Sequence, residues 1–333
     1  MTKKTTKKSD FATFLKDLLH IDRKLLVPFF LILLISFFTT QKSFTLAQVG
    51  SVFGIKTDVF EKPSILSSPI EIPKPAFYPK KTTSVEPPYT SAVSAIVIDV
   101  TSQVVLYEKN EHMSLLPAST TKIMTALVAM DYFAPDDIVQ VPQLTEGGSK
   151  MNLVPGEQIT FENLLYGLLL NSGNDAAETL AKQSVLGYEG FIAAMNDKAK
   201  ALHLFDSHFQ NVSGLESANH YTSAIDLARL ASFAMQNPLF AKIVATRAKT
   251  VSDVSGTYVH TLENINKLLG VVDGADGVKT GYTEEAGQVL VAAATREGHT
   301  ILTVVLKSDD RFADSKNLLE WAFANHTFSP PPL

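Results

Sequence analysis

The sequence of 333 residues contains no cysteine. That excludes disulfides, thiolate zinc sites, iron–sulfur clusters and a cysteine nucleophile. It contains one tryptophan, and only 19% of its residues are charged. It has no excess of positive charge: 29 basic residues stand against 34 acidic ones, a formal net charge of −5. A nucleic-acid binder needs a basic surface, so the balance argues against that class. The eight histidines include no His-Glu-x-x-His, and His203 and His208 are spaced by five, so no metal site is expected. No internal repeat is found. What is present is 45% apolar residues, enough for a sizeable core in one large domain or two modest ones, and too few for a polytopic membrane protein.

Composition changes along the chain. Residues 1–24 are basic, with Lys3, Lys4, Lys7, Lys8, Lys16, Arg23 and Lys24 against Asp10, Asp17 and Asp22. An apolar run from Leu25 to Phe38 follows, and residues 25–47 read as an export signal with its basic end inside. Thr45-Leu46-Ala47 offers a cleavage site, but the long basic flank and the polar residues around Lys42 favour an uncleaved anchor. Residues 48–90 hold Pro63, Pro69, Pro73, Pro75, Pro79, Pro87 and Pro88 without a sustained period, which reads as an extended linker. A globular domain is expected over 91–326.

Within that domain, Ala95–Val100 and Val104–Tyr107 flank a polar turn and read as a hairpin. Helical periodicity covers Ser119–Tyr132, Asn163–Leu170, Ala176–Gln183, Phe191–Leu202 and Thr222–Gln236, the last with Thr222 or Ser223 as N-cap. Val278–Thr280, Gln288–Thr295 and Thr300–Lys307 read as strands, the last two joined around Glu297-Gly298. Asp314–Ala324 is an amphipathic helix. Strands at both ends with helices between them predict an α/β (α+β) fold: an antiparallel sheet packed with helices.

Three short motifs occur in order. Ser119-Thr-Thr-Lys122 is the only Ser-x-x-Lys in the chain, Ser172-Gly173-Asn174 is one of three Ser-x-Asn strings, and Lys279-Thr280-Gly281 is the only Lys-Thr-Gly. A spacing of three on a helix puts Lys122 one turn along from Ser119 on the same face. Serine needs a base to become a nucleophile, and a desolvated lysine can be neutral and take its proton. The helix start also offers free backbone N–H groups to a developing oxyanion. The plainer alternatives are an N-cap serine beside a solvated lysine, a polar helix–helix corner with Asp175 capping the next helix, and a simple strand start. Gly281 would let a substrate backbone come close to a strand.

Together these strings resemble the serine penicillin-recognising enzymes, and within them the low-molecular-weight penicillin-binding proteins that are D-alanyl-D-alanine carboxypeptidases. Pro117–Thr125, Gly156–Thr160, Leu164–Ala177, Gly214-Leu215 with His220-Tyr221, Ala224–Ala228, Asn264–Asn266 and Gly277–Thr283 carry the resemblance over roughly residues 90–325. It implies a β-lactamase/transpeptidase-like fold with an additional all-helical subdomain. It also implies that Ser119 is the acylated nucleophile, Lys122 its base, and Ser172 and Asn174 the proton-relaying and amide-holding side of the cleft. Lys279 would supply positive charge, Thr280 and Arg311 would hold the substrate's terminal carboxylate, and the N–H groups of Ser119 and Tyr282 would form the oxyanion hole. His220 and Asp226 are read as structural.

The implied substrate is the peptidoglycan stem peptide. β-Lactams are the implied covalent inhibitors, the cytoplasmic membrane is a partner through the N-terminal segment, and no cofactor is expected. Many relatives continue into a β-rich domain and a C-terminal amphipathic helix. Here the N-terminal apolar segment is expected to replace that anchor. The remaining alternatives are a D,D-endopeptidase cutting crosslinks, a β-lactamase, and a non-catalytic wall-binding protein. No Glu-x-x-Leu-Asn lies between Ser172 and Lys279, which argues against a class A β-lactamase. The intact triplet argues against lost catalysis.

Overall fold

The computed structural model describes residues 77–145 and 147–330. The basic segment, the apolar segment and the linker up to residue 76 lie outside the described residues. In chain order the strands are β1 (Tyr78–Lys81), β2 (Ser94–Asp99), β3 (Val105–Lys109), β4 (Ile138–Gln140), β5 (Gln158–Thr160), β6 (Ala248–Ser252), β7 (Val259–Glu263), β8 (Ala275–Thr283), β9 (Gly287–Arg296), β10 (His299–Ser308) and β11 (His326–Ser329). The helices are α1 (Lys122–Tyr132), α2 (Phe161–Leu169), α3 (Asn174–Gln183), α4 (Gly187–Ala201), α5 (Ala224–Met235), α6 (Pro238–Val244) and α7 (Arg311–Asn325).

The central sheet is antiparallel, in the order β3-β2-β10-β9-β8. Its inner strands are apolar on both sides. In β9, Val289, Val291 and Ala293 face one core, while Leu290, Ala292 and Ala294 face another. A strand buried on both faces reads as a continuous apolar run, which is why these segments show no apolar–polar alternation. β9 and β10 join through the expected two-residue turn: Glu297 and Gly298 both have positive φ, the conformation whose twist matches the flanking strands. On one face α7 packs Leu318, Leu319 and Ala322 against Ala95, Val97 and Leu290. On the other face Ile96, Leu302 and Val304 belong to the large core shared with α1, α2, α3 and α5.

Helix starts follow side-chain caps. Ser223 accepts from the N–H of Asp226 at the start of α5. Asp310 accepts from the N–H groups of Phe312 and Ala313. That cap starts α7 three residues earlier than the periodicity predicts and makes Arg311 its first residue. The helical region also carries two short antiparallel ribbons, β4–β5 and β6–β7. β4 and β5 each bury one side chain, Val139 and Ile159, too little pattern to read from sequence.

The stretch read as linker is shorter than 48–90. Residues 78–81 form β1, which pairs in register with β11, Tyr78 opposite Ser329 and Lys81 opposite His326. Trp321 Nε1 donates to Val85 O and Thr82 N donates to Asn325 O, so the chain is bound to α7 before the first sheet strand begins. Prolines at 79, 87 and 88 mask this segment in the sequence. An edge strand tolerates proline, because an outward-facing position needs no N–H. The folded region correspondingly runs past 326 through β11.

Candidate active site

The nucleophile segment begins with a single 3-10 turn, Ala118–Thr121, from which α1 continues. Ala118 has φ +47, and the hydroxyl of Thr120 donates to Pro117 O at 2.6 Å. Close backbone approach holds this turn. A Cβ on Gly214 would lie 1.8 Å from Ala118 O, and one on Gly281 would lie 3.0 Å from both Ala118 Cβ and Ser119 N. Gly281 therefore lets β8 lie close against the nucleophile turn, a different reason from the substrate approach expected from sequence.

Ser119 is half-buried and Lys122 is fully buried. Lys122 Nζ lies 3.0 Å from Ser119 Oγ and donates to Ser213 O at 2.7 Å. The helical spacing thus delivers what it predicts, an amine one turn from a hydroxyl. Ser213 was not visible as a site residue, because a backbone carbonyl leaves no side-chain signature. Its geometry does have a sequence cause: Asn211 Oδ1 accepts from the N–H groups of Ser213, Gly214 and Leu215, closing an Asx-type turn at Asn-x-Ser-Gly. Thr125 Oγ1 donates to Val212 O at 2.6 Å, tying that turn to α1.

A second tie comes from His220. Its Nδ1 accepts from Gln210 N at 3.0 Å, so Nε2 carries the proton and donates to Thr121 Oγ1 at 2.8 Å. Burial, with His208 adding to it, pushes its pKa down to about 4, which keeps the ring neutral. Asp226 accepts from Asp206 N and Ser207 Oγ. Both residues hold chain segments together, in line with the structural reading of them.

Ser172 and Asn174 sit at the corner between α2 and α3. Ser172 has φ +59, and both residues are buried. Asn174 donates through Nδ2 to Gly147 O at 2.6 Å and through its backbone N to Ser149 O at 2.7 Å. Gly148, at φ +86, leaves room for that amide, since a Cβ there would lie 2.7 Å from Nδ2. Asp175 does more than cap α3. Its buried carboxylate accepts from the N–H groups of Met151, Asn152 and Leu153 and so holds the 147–153 loop against the corner. No hydrogen bond joins Ser172 or Asn174 directly to Ser119 or Lys279.

The third wall is the free edge of the sheet. On β8, Lys279 pairs opposite Val291 and Thr280 opposite Leu290. Lys279 is buried and donates to Thr280 O at 3.0 Å. Desolvation first, then the positive charges of Lys122 and Arg311, hold its amine well below the usual lysine range. Arg311 donates through Nη1 to Gly281 O at 2.6 Å and stacks on the ring of Phe312. Its Nε is buried without a partner, and burial lowers its pKa. Tyr282 has an exposed side chain.

The structure thus brings Ser119 and Lys122 into direct contact with Gly281 against the Ser119 backbone, places Lys279 within electrostatic reach of Lys122 and Arg311, and ties Arg311 to Gly281. Chemically this is a hydroxyl with a buried amine beside it, next to a cationic strand edge: the parts of an acyl-transfer centre for an anionic substrate.

Comparison with known proteins agrees. Residues 81–310 match the family model described as D-alanyl-D-alanine carboxypeptidase. Over 249 residues the chain is 34% identical to a D-alanyl-D-alanine carboxypeptidase of Bacillus subtilis, covering 72% of this chain and 64% of that protein. It is 34% identical over 262 residues to one of Escherichia coli, covering 73% of this chain and 66% of that protein. The chain thus spans slightly under two thirds of the length of these two relatives. The crystal structure of a Streptomyces DD-transpeptidase superposes with a TM-score of 0.69 at 34% identity, covering 72% of this chain and all of that one. An evolved penicillin-binding protein homologue from Mycobacterium tuberculosis gives a TM-score of 0.69 at 32% identity, covering 74% of this chain and 96% of that one. By sequence and by fold, the chain belongs to the D-alanyl-D-alanine carboxypeptidase family of serine peptidases.

Proposed function

We propose that the protein is a serine D,D-carboxypeptidase that removes the terminal D-Ala from peptidoglycan stem pentapeptides. The observation that carries this reading is Lys122 Nζ at 3.0 Å from Ser119 Oγ while Ser213 O holds the amine. Ser119 Oγ attacks the carbonyl carbon between the two D-Ala residues, and its proton passes to the Lys122 amine, which acts as base in its unprotonated form. The developing oxyanion is met by the N–H groups of Ser119 and Tyr282. The C–N bond then breaks and the leaving D-Ala nitrogen takes a proton, relayed through Ser172. Water next attacks the ester on Ser119, its proton goes to the same base, and the shortened peptide leaves with Ser119 restored. Asn174, its Nδ2 engaged by Gly147 O, has Oδ1 for a substrate N–H. Lys279, Thr280 and Arg311 supply the positive and donating surface for the terminal carboxylate.

A β-lactam would be attacked at its ring carbonyl in the same way, forming an ester whose amine half stays tethered. Covalent labelling by a fluorescent penicillin, together with D-Ala release, tests the reading. Ser119→Ala is expected to lose both, and an adduct in that variant would refute the assignment.

The Streptomyces relative is titled a DD-transpeptidase, which favours a second outcome for the same acyl-enzyme, capture by an amine instead of water. Adding an amino-acid acceptor and measuring the ratio of transfer to hydrolysis separates the two. The domain is placed outside the cytoplasmic membrane and tethered by residues 25–47. Among the described residues no helix is long and apolar enough to cross a membrane. Protease added to intact spheroplasts should remove the domain, and protection would contradict this placement.

A further inference from the structure

At the end of the sheet away from Lys279-Thr280-Gly281 is a cavity of about 290 Å³. It lies where β8 begins, β9 ends and β10 begins, closed over by α5 and α6. Its polar lining is Asp276, Thr295, Thr300, Ser232 and Gln236, and its apolar lining includes Val100 and Met235. Asp276 is three residues upstream of Lys279, roughly 10 Å along the strand, so the cavity is separate from the acyl-transfer centre.

The hydrogen bonds here run in one direction. A carboxylate only accepts, so the hydroxyl of Thr295 donates to Asp276 Oδ2. That uses the single proton of Thr295. Thr300 Oγ1, 2.8 Å away, must therefore donate to Thr295 in turn. Lone pairs on the other oxygen of Asp276 and on Thr300 are left for the cavity. Among the described residues Asp276 has no ion-pair partner. Burial raises its pKa, Thr295 offsets this in part, and no basic group contributes. Ser232 Oγ, on α5, is buried with no hydrogen-bond partner at all. A half-buried carboxylate without a counter-charge is an arrangement that proteins normally avoid.

We propose that this cavity binds a small primary ammonium compound with a short apolar body. The ammonium would donate to Asp276 and Thr300, and its alkyl part would lie against Val100 and Met235. A primary ammonium brings three donors and the missing charge, whereas a neutral alcohol brings one donor and no charge. A hard divalent cation fits poorly, because it needs several oxygen ligands around a charged cluster. No group of three His, Asp or Glu side chains that could hold a metal exists among the described residues. The volume lies at the lower end of ligand pockets, suiting an alkyl chain of roughly four carbons.

The test is titration of the full-length protein with n-butylammonium, followed by calorimetry and by amide chemical shifts, with n-butanol as the neutral control. Saturable binding of the ammonium in the millimolar range is expected, with the alcohol at least about tenfold weaker. Asp276→Asn should weaken the ammonium by at least about tenfold while penicillin labelling of Ser119 persists. Should that variant fail to fold, Ala245→Leu fills the cavity from its exposed rim and should abolish binding. The proposal is overturned by any one of three results: no saturable binding to wild type, equal binding of ammonium and alcohol, or undiminished binding in Asp276→Asn or Ala245→Leu.

Discussion

Acid should loosen the nucleophile turn through one histidine, and the effect can be sized. His220 has a folded-state pKa of about 4 against an ordinary 6.5, caused first by burial and then by His208. Protonation would have to occur at Nδ1, which already accepts from Gln210 N, so a new N–H would face an existing one. Between about 4 and 6.5 the unfolded chain binds this proton and the folded chain does not. Stability therefore falls as pH falls through that window. Going from pH 7 to pH 5, this group alone removes about 2 kcal/mol. His220→Gln keeps a donor and an acceptor without titrating. Urea unfolding of wild type and variant at both pH values isolates the contribution as a difference of differences, in which other titrating groups cancel. The variant is expected to lose about 2 kcal/mol less than wild type on acidification. Equal acid losses would show that the ring is not held neutral and that Thr121 is not tied down in the manner described.

Lys122→Arg should abolish acylation by fluorescent penicillin while the protein still unfolds cooperatively, because a guanidinium does not deprotonate in the working range. Near-normal labelling would move the base elsewhere. Gly281→Ala should slow acylation by roughly threefold, since its Cβ would lie 3.0 Å from Ser119 N and Ala118 Cβ and shift the nucleophile slightly. An unchanged rate would mean that the contact is slack. Amidating the substrate's terminal carboxylate should lower kcat/KM by at least about tenfold, and Arg311→Ala should shrink that discrimination. Equal turnover of acid and amide by wild type would favour an endopeptidase. Binding a non-hydrolysable substrate analogue with a free carboxylate should take up protons, because an anion restores charge to the depressed Lys279 amine. Calorimetry in buffers of different ionisation enthalpy reads this directly, and no uptake at any pH from 6 to 9 would contradict it.

The sequence made legible those features that a repeating pattern or a fixed spacing encodes. β9 and β10 declare themselves by apolar runs around Glu297-Gly298, and the Ser119–Lys122 contact agrees with the one-turn spacing of the two residues. What stayed hidden is held by backbone groups or by pairs far apart in the chain. Ser213 acts through its carbonyl, and Asn211 acts on three N–H groups, so neither differs in sequence from an ordinary polar loop. β1 pairs with a strand about 250 residues later and is made of Tyr-Pro-Lys-Lys, a string with no strand period. Asp175 looks like a helix cap because it sits at a helix start. Only the fold brings the 151–153 backbone to it.

The charges of the site show why its parts lie on separate elements. Lys122 comes from α1, Lys279 from β8 and Arg311 from α7, and all three bring positive charge to one place with little water. Burial first, and then the like charges of Lys122 and Arg311, hold the amine of Lys279 low, and Nε of Arg311 is buried without a partner. Such a cluster is costly in the empty protein and is relieved by an anion that enters the cleft. An uncharged ligand of the same shape gives no such relief.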